Sequence, residues 1–173
     1  DLKDRNSDVL EFLTRTLENN GFFIINDHSI DKNLIEKVFS VAEDIFSLPY
    51  ETKYKYHVKG SNGARGYTPY GIETALNEKV ADQKEFWHQG STTNKTLMPN
   101  LYMNEVEDFD VLDTLYSEFE KMGSEVLKAF SNFNIDYNAD LVDSAVDGNS
   151  ILRLIHYPAT EGGNEHRARA HSD

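Results

Sequence analysis

Two stretches near the end of the chain decide how the rest is read: Ile151-Leu152-Arg153-Leu154-Ile155-His156-Tyr157-Pro158, and then His171-Ser172-Asp173. The first is a short β-prone run closed by proline, and the pattern predicts a strand over 151–157. A loop with Gly162-Gly163 follows, and a second strand is expected over 167–173. On a strand, residues two apart share a face, with Cα atoms about 6.5 Å apart. His171 and Asp173 can therefore converge on one metal ion. Imidazole and carboxylate, completed by a second histidine, form the facial triad that holds non-haem Fe(II). A His-x-Asp triplet is weak by itself in a chain with six His and abundant Asp. Its setting, two strands joined by a Gly-rich turn, gives it weight.

Upstream, helices dominate. Asn6-Ser7 supplies an N-cap, and Val9, Phe12, Leu13, Thr16 and Leu17 follow at helical spacing until Gly21. Phe22-Phe23-Ile24-Ile25 reads as a short buried strand. Asp31 can cap a second helix carrying Leu34, Ile35, Val38, Ala42, Ile45 and Phe46 on one face, which ends near Pro49. Residues 60–71 (GSNGARGYTPYG) read as an irregular loop, and 82–90 (DQKEFWHQG) as a strand. A long helix is expected over 108–133 from the stripe Leu112, Leu115, Phe119, Met122, Val126, Leu127 and Phe130, and a short one over 139–146.

Composition narrows the classes. The chain has 173 residues, is 39% hydrophobic and carries a formal net charge of −13. Its length suits one domain, and its apolar and aromatic content supports a packed core. Strong negative charge disfavours a nucleic-acid partner. No apolar run reaches membrane-spanning length, so no membrane partner is expected. With no Cys there is neither a disulfide nor a thiolate metal site, and a cytoplasmic location is expected.

Other motifs point to less. The loop over 60–71 lacks both phosphate-loop signatures, and is read as bordering a pocket with Arg65 and Tyr67 available to a substrate, or as plain surface. Within Lys84-Glu85-Phe86-Trp87-His88, His88 has no partner at metal spacing and a structural role is expected. A nucleophilic serine elbow of the G-x-S-x-G type is absent.

Taken in order, these segments resemble the isopenicillin N synthase-like family of Fe(II)- and 2-oxoglutarate-dependent oxygenases. Gly21-Phe22-Phe23-Ile24-Ile25-Asn26-Asp27-His28 is similar to that family's strand after the first helix. Leu48-Pro49 with Lys53 and Tyr54 resembles its LP-x-E-x-K step, and Arg65-Gly66-Tyr67 its RGY loop. Asp82 with Lys84-Glu85 resembles D-x-K-E, residues 152–158 resemble the strand ending in YP, and His171-Ser172-Asp173 falls at the iron motif.

The resemblance implies an α+β protein: a double-stranded β-helix (jelly-roll, cupin-like) with N-terminal and long central packing helices, truncated at its C-terminal side. One incomplete domain over 1–173 is expected, with 1–148 mainly helical and 149–173 the first core strands. It further implies Fe(II) bound by His171 and Asp173, 2-oxoglutarate as co-substrate, O₂, and oxidation of a small molecule by hydroxylation, desaturation or cyclisation. Tyr157 is implied at a co-substrate or substrate carboxylate, and Arg65 and Tyr67 beside the substrate. Ile155 stands where plant members place an asparagine. Two alternatives stay open: an Fe(II)/O₂ oxidase that does not use 2-oxoglutarate, and a non-catalytic β-helix binding module. Oligomeric state is not readable.

The second iron histidine and the R-x-[ST] arginine of the family lie downstream of its iron motif, and no residue follows Asp173 in this sequence. The 173-residue chain alone is therefore expected to be inactive. Measurable 2-oxoglutarate consumption by this chain would overturn that expectation.

Overall fold

The computed structural model describes residues 7–26, 28–61, 63–73, 81–131, 141–146 and 148–159. In chain order these form α1 (Ser7–Asn20), α2 (Lys32–Ser47), α3 (Tyr50–Tyr54), β1 (Gly66–Thr68), β2 (Glu85–Gly90), α4 (Val111–Ser131), α5 (Leu141–Val146) and β3 (Ile151–His156). The strands make one antiparallel sheet in the order β1-β2-β3. The strand expected over 167–173 lies outside the described residues.

Helix boundaries follow local chemistry. Gly21 closes α1 at φ +77°, its N–H donating to Leu17 O at 2.9 Å. The Asp31 carboxylate accepts the Asn33 N–H at 2.9 Å and caps α2. The long helix begins at Val111, three residues after the expected Asp108, because Asp108 takes φ +53° and heads a turn instead. The Val111 N–H closes that turn on Asp108 O at 3.0 Å.

Two expectations are corrected. Phe22–Ile25 is not a buried strand: no described strand pairs with it, and Phe22 and Ile24 are 63% and 77% exposed. Apolar runs specify strands only where a neighbour supplies the ladder, and local composition does not carry that information. The stretch over 60–71 is not wholly irregular either. Gly66–Thr68 pairs with Phe86–His88, and both Arg65 and Tyr67 are buried rather than open to solvent.

The core lies between one face of the sheet and α2 with the start of α4. Val38, Val41 and Ile45 from α2 meet Leu112 and Leu115 from α4 around Trp87 and Tyr67. Trp87 has no exposed surface, and Phe109 meets it edge-on at a centroid distance of 5.0 Å. The apolar stripe of α4 is fully buried in its first turns, at Leu112 and Leu115, and half-buried further on, where Met122 meets the core and Phe130 meets Phe23. Its second half, with Phe119 and Leu127, borders a cleft of about 350 Å³ against α5 and the first residues of β3.

Gly66 lets β1 approach α3. Its φ is +75°, and a Cβ there would stand 2.5 Å from Tyr56 O and 2.8 Å from Leu101 Cδ1. Gly66→Ala is expected to cost about 2 kcal/mol or more of unfolding free energy in the full-length protein. Urea denaturation measures this; an unchanged midpoint would show that the β1 backbone relaxes freely.

Candidate functional site

Strand register divides the sheet into two chemically different faces. Glu85 lies opposite His156, Trp87 opposite Leu154 and Gln89 opposite Leu152. The alternating pairs are Phe86 with Ile155, His88 with Arg153 and Gly90 with Ile151. Side chains alternate across a strand, so the first set shares the helix-packed inner face with Tyr67, and the second points to the outer face.

The inner face is organised by one carboxylate. Lys53 from α3 donates to Glu85 Oε2 at 2.8 Å and Oε1 at 3.1 Å, and to Phe46 O at 2.9 Å. The Tyr67 hydroxyl donates to Glu85 Oε2, and His156 Nδ1 donates to Oε1 at 2.8 Å. The His156 ring stacks on Phe46 at 5.2 Å. Burial alone would raise the Glu85 pKa; the hydrogen bonds from Lys53, Tyr67 and His156 outweigh it and hold the carboxyl below its usual range. Burial, and then the bond to Glu85, raise the Tyr67 phenol.

A second network stands beside it. Trp87 Nε1 donates to Gln89 Oε1 at 3.1 Å, and Gln89 Nε2 to Asp113 Oδ1 at 2.5 Å. Tyr102 donates to Asp113 Oδ2 at 2.6 Å. Asn100 bonds both backbone groups of Gly90 at 2.8 Å, closing the end of β2.

The outer face presents Ile151, Ile155 and Tyr157 at 38%, 45% and 37% exposure. Arg153 lies among them. Its guanidinium rests 4.6 Å from the Phe86 centroid, and its Nε–H donates to His88 Nε2 at 2.6 Å. His88 is buried and donates from Nδ1 to Gly63 O. Burial lowers its pKa to about 4, with the Arg153 charge contributing, so the imidazole is neutral with its proton on Nδ1.

Arg65 lies buried at the edge of this face. Its Nη1 donates to Ala64 O at 2.6 Å and Asn149 Oδ1 at 2.9 Å, while Nε and Nη2 find no partner among the described residues. A Cβ at Gly90 would collide with its guanidinium, so glycine makes the space. Burial lowers the Arg65 pKa.

Of the residues expected at a site, Tyr157 falls on the exposed outer face and Arg65 is buried at that face's edge. Tyr67 is packed into the core with its hydroxyl on Glu85. His171 and Asp173 lie outside the described residues. Among the described residues no group of three or more His, Asp and Glu could hold a metal ion, and no helix is long and apolar enough to cross a membrane. Sequence reasoning missed Arg153 and the Lys53–Glu85 pair. Strict alternation from Tyr157 back to Arg153 was a signal for the first; the pair, 32 residues apart, had none.

Residues 1–106 match the family model described as "non-haem dioxygenase in morphine synthesis N-terminal". The chain belongs to this family of Fe(II)- and 2-oxoglutarate-dependent oxygenases. A 2-oxoglutarate-Fe(II) type oxidoreductase, ppzD of Metarhizium rileyi, is 32% identical over 162 residues, matching 84% of this chain and 45% of its own. A homoarginine-6-hydroxylase of Arabidopsis thaliana is 25% identical over 179 residues, matching 96% and 49%. A solved structure of a 2OG-Fe(II) oxygenase family protein from Caulobacter crescentus aligns with TM-score 0.74 at 34% identity, covering 94% of this chain and 55% of that one. The chain spans about half the length of the curated relatives it matches.

Removing Lys53 leaves the Glu85 carboxylate buried with a weakened set of partners. Lys53→Met is expected to cost about 3–5 kcal/mol in chemical denaturation, and Lys53→Met/Glu85→Leu much less. A single variant as stable as the parent would show that another donor replaces the ammonium. The folded pKa of Glu85 lies below the unfolded value of about 4.3. Its contribution is therefore present above that value and lost as pH falls through the folded one. The stability gap between parent and Glu85→Gln is expected to stay level near neutral pH and narrow below about pH 4.

Proposed function

We propose that the full-length protein is an Fe(II)- and 2-oxoglutarate-dependent dioxygenase that oxidises a small organic molecule with O₂, by hydroxylation, desaturation or cyclisation. One observation carries this reading. The outer face of β3 presents Arg153 and Ile155, and the chain runs on from that strand through the exposed Tyr157 to His171-Ser172-Asp173. The curated relatives named as 2-oxoglutarate-dependent enzymes support it. The proposed architecture is a double-stranded β-helix, with the three-stranded sheet as one part. The domain is read as single, with 1–148 mainly helical and carrying a few strands and 149–173 the first core strands of the β-helix. A cytoplasmic location accords with the absence of Cys.

His171 and Asp173 would hold the iron together with a second histidine. An imidazole and a carboxylate suit Fe(II), and no thiolate competes. Bound iron supplies the activation of O₂ that couples decarboxylation of 2-oxoglutarate to substrate oxidation. The chain's own residues bind and orient. Tyr157 would donate its phenol to a carboxylate oxygen of 2-oxoglutarate or of the substrate. Ile155 offers no polar atom there, so Tyr157 is the polar group its stretch of strand presents. Arg65, beneath Gly90, would support the substrate side, whereas Tyr67 is held on the inner face by Glu85. Ile155 is also the observation that favours the second reading, an Fe(II)/O₂ oxidase, because it removes one polar co-substrate contact.

His171→Ala in the full-length protein is expected to abolish substrate-dependent succinate formation and to lower bound iron at least about tenfold. Metal analysis and succinate assay measure both. Full turnover in that variant would overturn the assignment, and O₂ uptake independent of 2-oxoglutarate would establish the oxidase.

A further inference from the structure

Among the described residues, the Arg153 guanidinium on the outer face is paired with one carboxylate, Glu73, at a long 3.8 Å. Arg153 is held on three sides: by the Phe86 ring, by the acceptor nitrogen of His88, and by Glu73, whose Oε1 is 3.8 Å from Nη2. The Glu73 contact is long, and Glu73 is already engaged by Lys84 at 2.6 Å. Lys84 is shared in turn with Asp82 at 3.0 Å. Arg65, a second guanidinium near His88, adds positive charge. Among the described residues, Lys84 and Arg153 draw on the same Glu73 carboxylate.

His88 gives the arrangement its direction. A neutral imidazole accepts the Nε–H, so the guanidinium terminus, in long contact with Glu73, can take a further partner. A charged histidine would repel the arginine, and an apolar residue would leave the Nε–H unpaired. Burial and the bond to Gly63 O keep the accepting tautomer in place. The arginine is thus preorganised, with its planar fork suited to a carboxylate.

We propose that Arg153 binds a carboxylate of the substrate that is oxidised, and that His88 is its positioning residue. This rests on the reading of the protein as a 2-oxoglutarate-dependent oxygenase and adds the class of substrate: a small organic acid. The carboxylate could belong to the substrate or to 2-oxoglutarate. Position favours the substrate, since Arg153 stands four strand residues from Tyr157, a backbone separation of about 13 Å. Two ligands side by side fit that spacing, with the co-substrate toward Tyr157.

The test uses the full-length protein loaded with Mn(II) and 2-oxoglutarate without oxygen, titrated calorimetrically with small monocarboxylic acids and their matched primary amides. Acids are expected to bind and amides not. Arg153→Met should weaken the best acid at least about tenfold and leave 2-oxoglutarate affinity within about twofold, with Arg153→Lys intermediate. His88→Phe should weaken the acid and His88→Gln, which keeps an acceptor, should restore most of it. Thermal melts of each variant report folding separately. Amides binding as well as acids, acid affinity unchanged in a folded Arg153→Met, or a fall in 2-oxoglutarate affinity instead, would each overturn the proposal. Failure of the unmodified protein to bind 2-oxoglutarate would reject the oxygenase reading itself.

Discussion

Four elements of the described structure, α3, β1, β2 and β3, meet at the Glu85 carboxylate. It takes hydrogen bonds from α3 through Lys53, from β1 through Tyr67 and from β3 through His156. Lys53 extends the junction to the last turn of α2 through Phe46 O. A buried carboxylate with one partner is a liability, because desolvation can exceed the attraction. With three donors the charged form is favoured despite burial. The gain is specificity more than strength: only one relative placement of α3, β1, β2 and β3 satisfies every donor.

Four motifs that are separate in sequence meet at this point. Lys53 comes from the LP-x-E-x-K step, Tyr67 from the RGY segment, Glu85 from D-x-K-E and His156 from the YP strand. Their order along the chain was enough to identify the family, which the match over residues 1–106 then established. Their purpose was not legible. Arg-Gly-Tyr looks like a loop because glycine and its irregular neighbours dominate local propensity. Its burial follows from the ladder to β2 and from Lys53 and Glu85, both remote in sequence. Helix caps were legible because Asp31 and Gly21 act within a few residues of themselves. Phe22–Ile25 failed for the opposite reason, since a strand is a property of two segments and only one was in view.

The two faces also divide the risks of burying charge. On the inner face each charged group meets an opposite charge or a strong donor. On the outer face Arg65 is buried with two nitrogens unpaired among the described residues, and Arg153 leans on an uncharged imidazole. Unpaired buried groups are costly and persist where the rest of the structure compensates. The inner face supplies the compensating contacts: Glu85 binds β3 through His156, while Trp87 on Phe109 and Gln89 on Asp113 fasten β2 to α4 and the segment before it.

That coupling makes register the quantity on which function turns. Side chains alternate with a period of two, so a slip of one residue between β2 and β3 would exchange the faces. His156 would leave Glu85, while Arg153 and Tyr157 would be forced into the helix-packed core. Turn geometry does not prevent this, because β2 and β3 are separated by 60 residues, from Gly90 to Ile151. The register is held from both sides instead: His156 on Glu85 below, Arg153 on His88 above. Both bonds are satisfied by one alignment, and that alignment is the one that brings Tyr157 and Arg153 outward. The structural carboxylate of Glu85 therefore decides which side chains the strand can offer to a ligand, although it lies on the opposite face of the sheet.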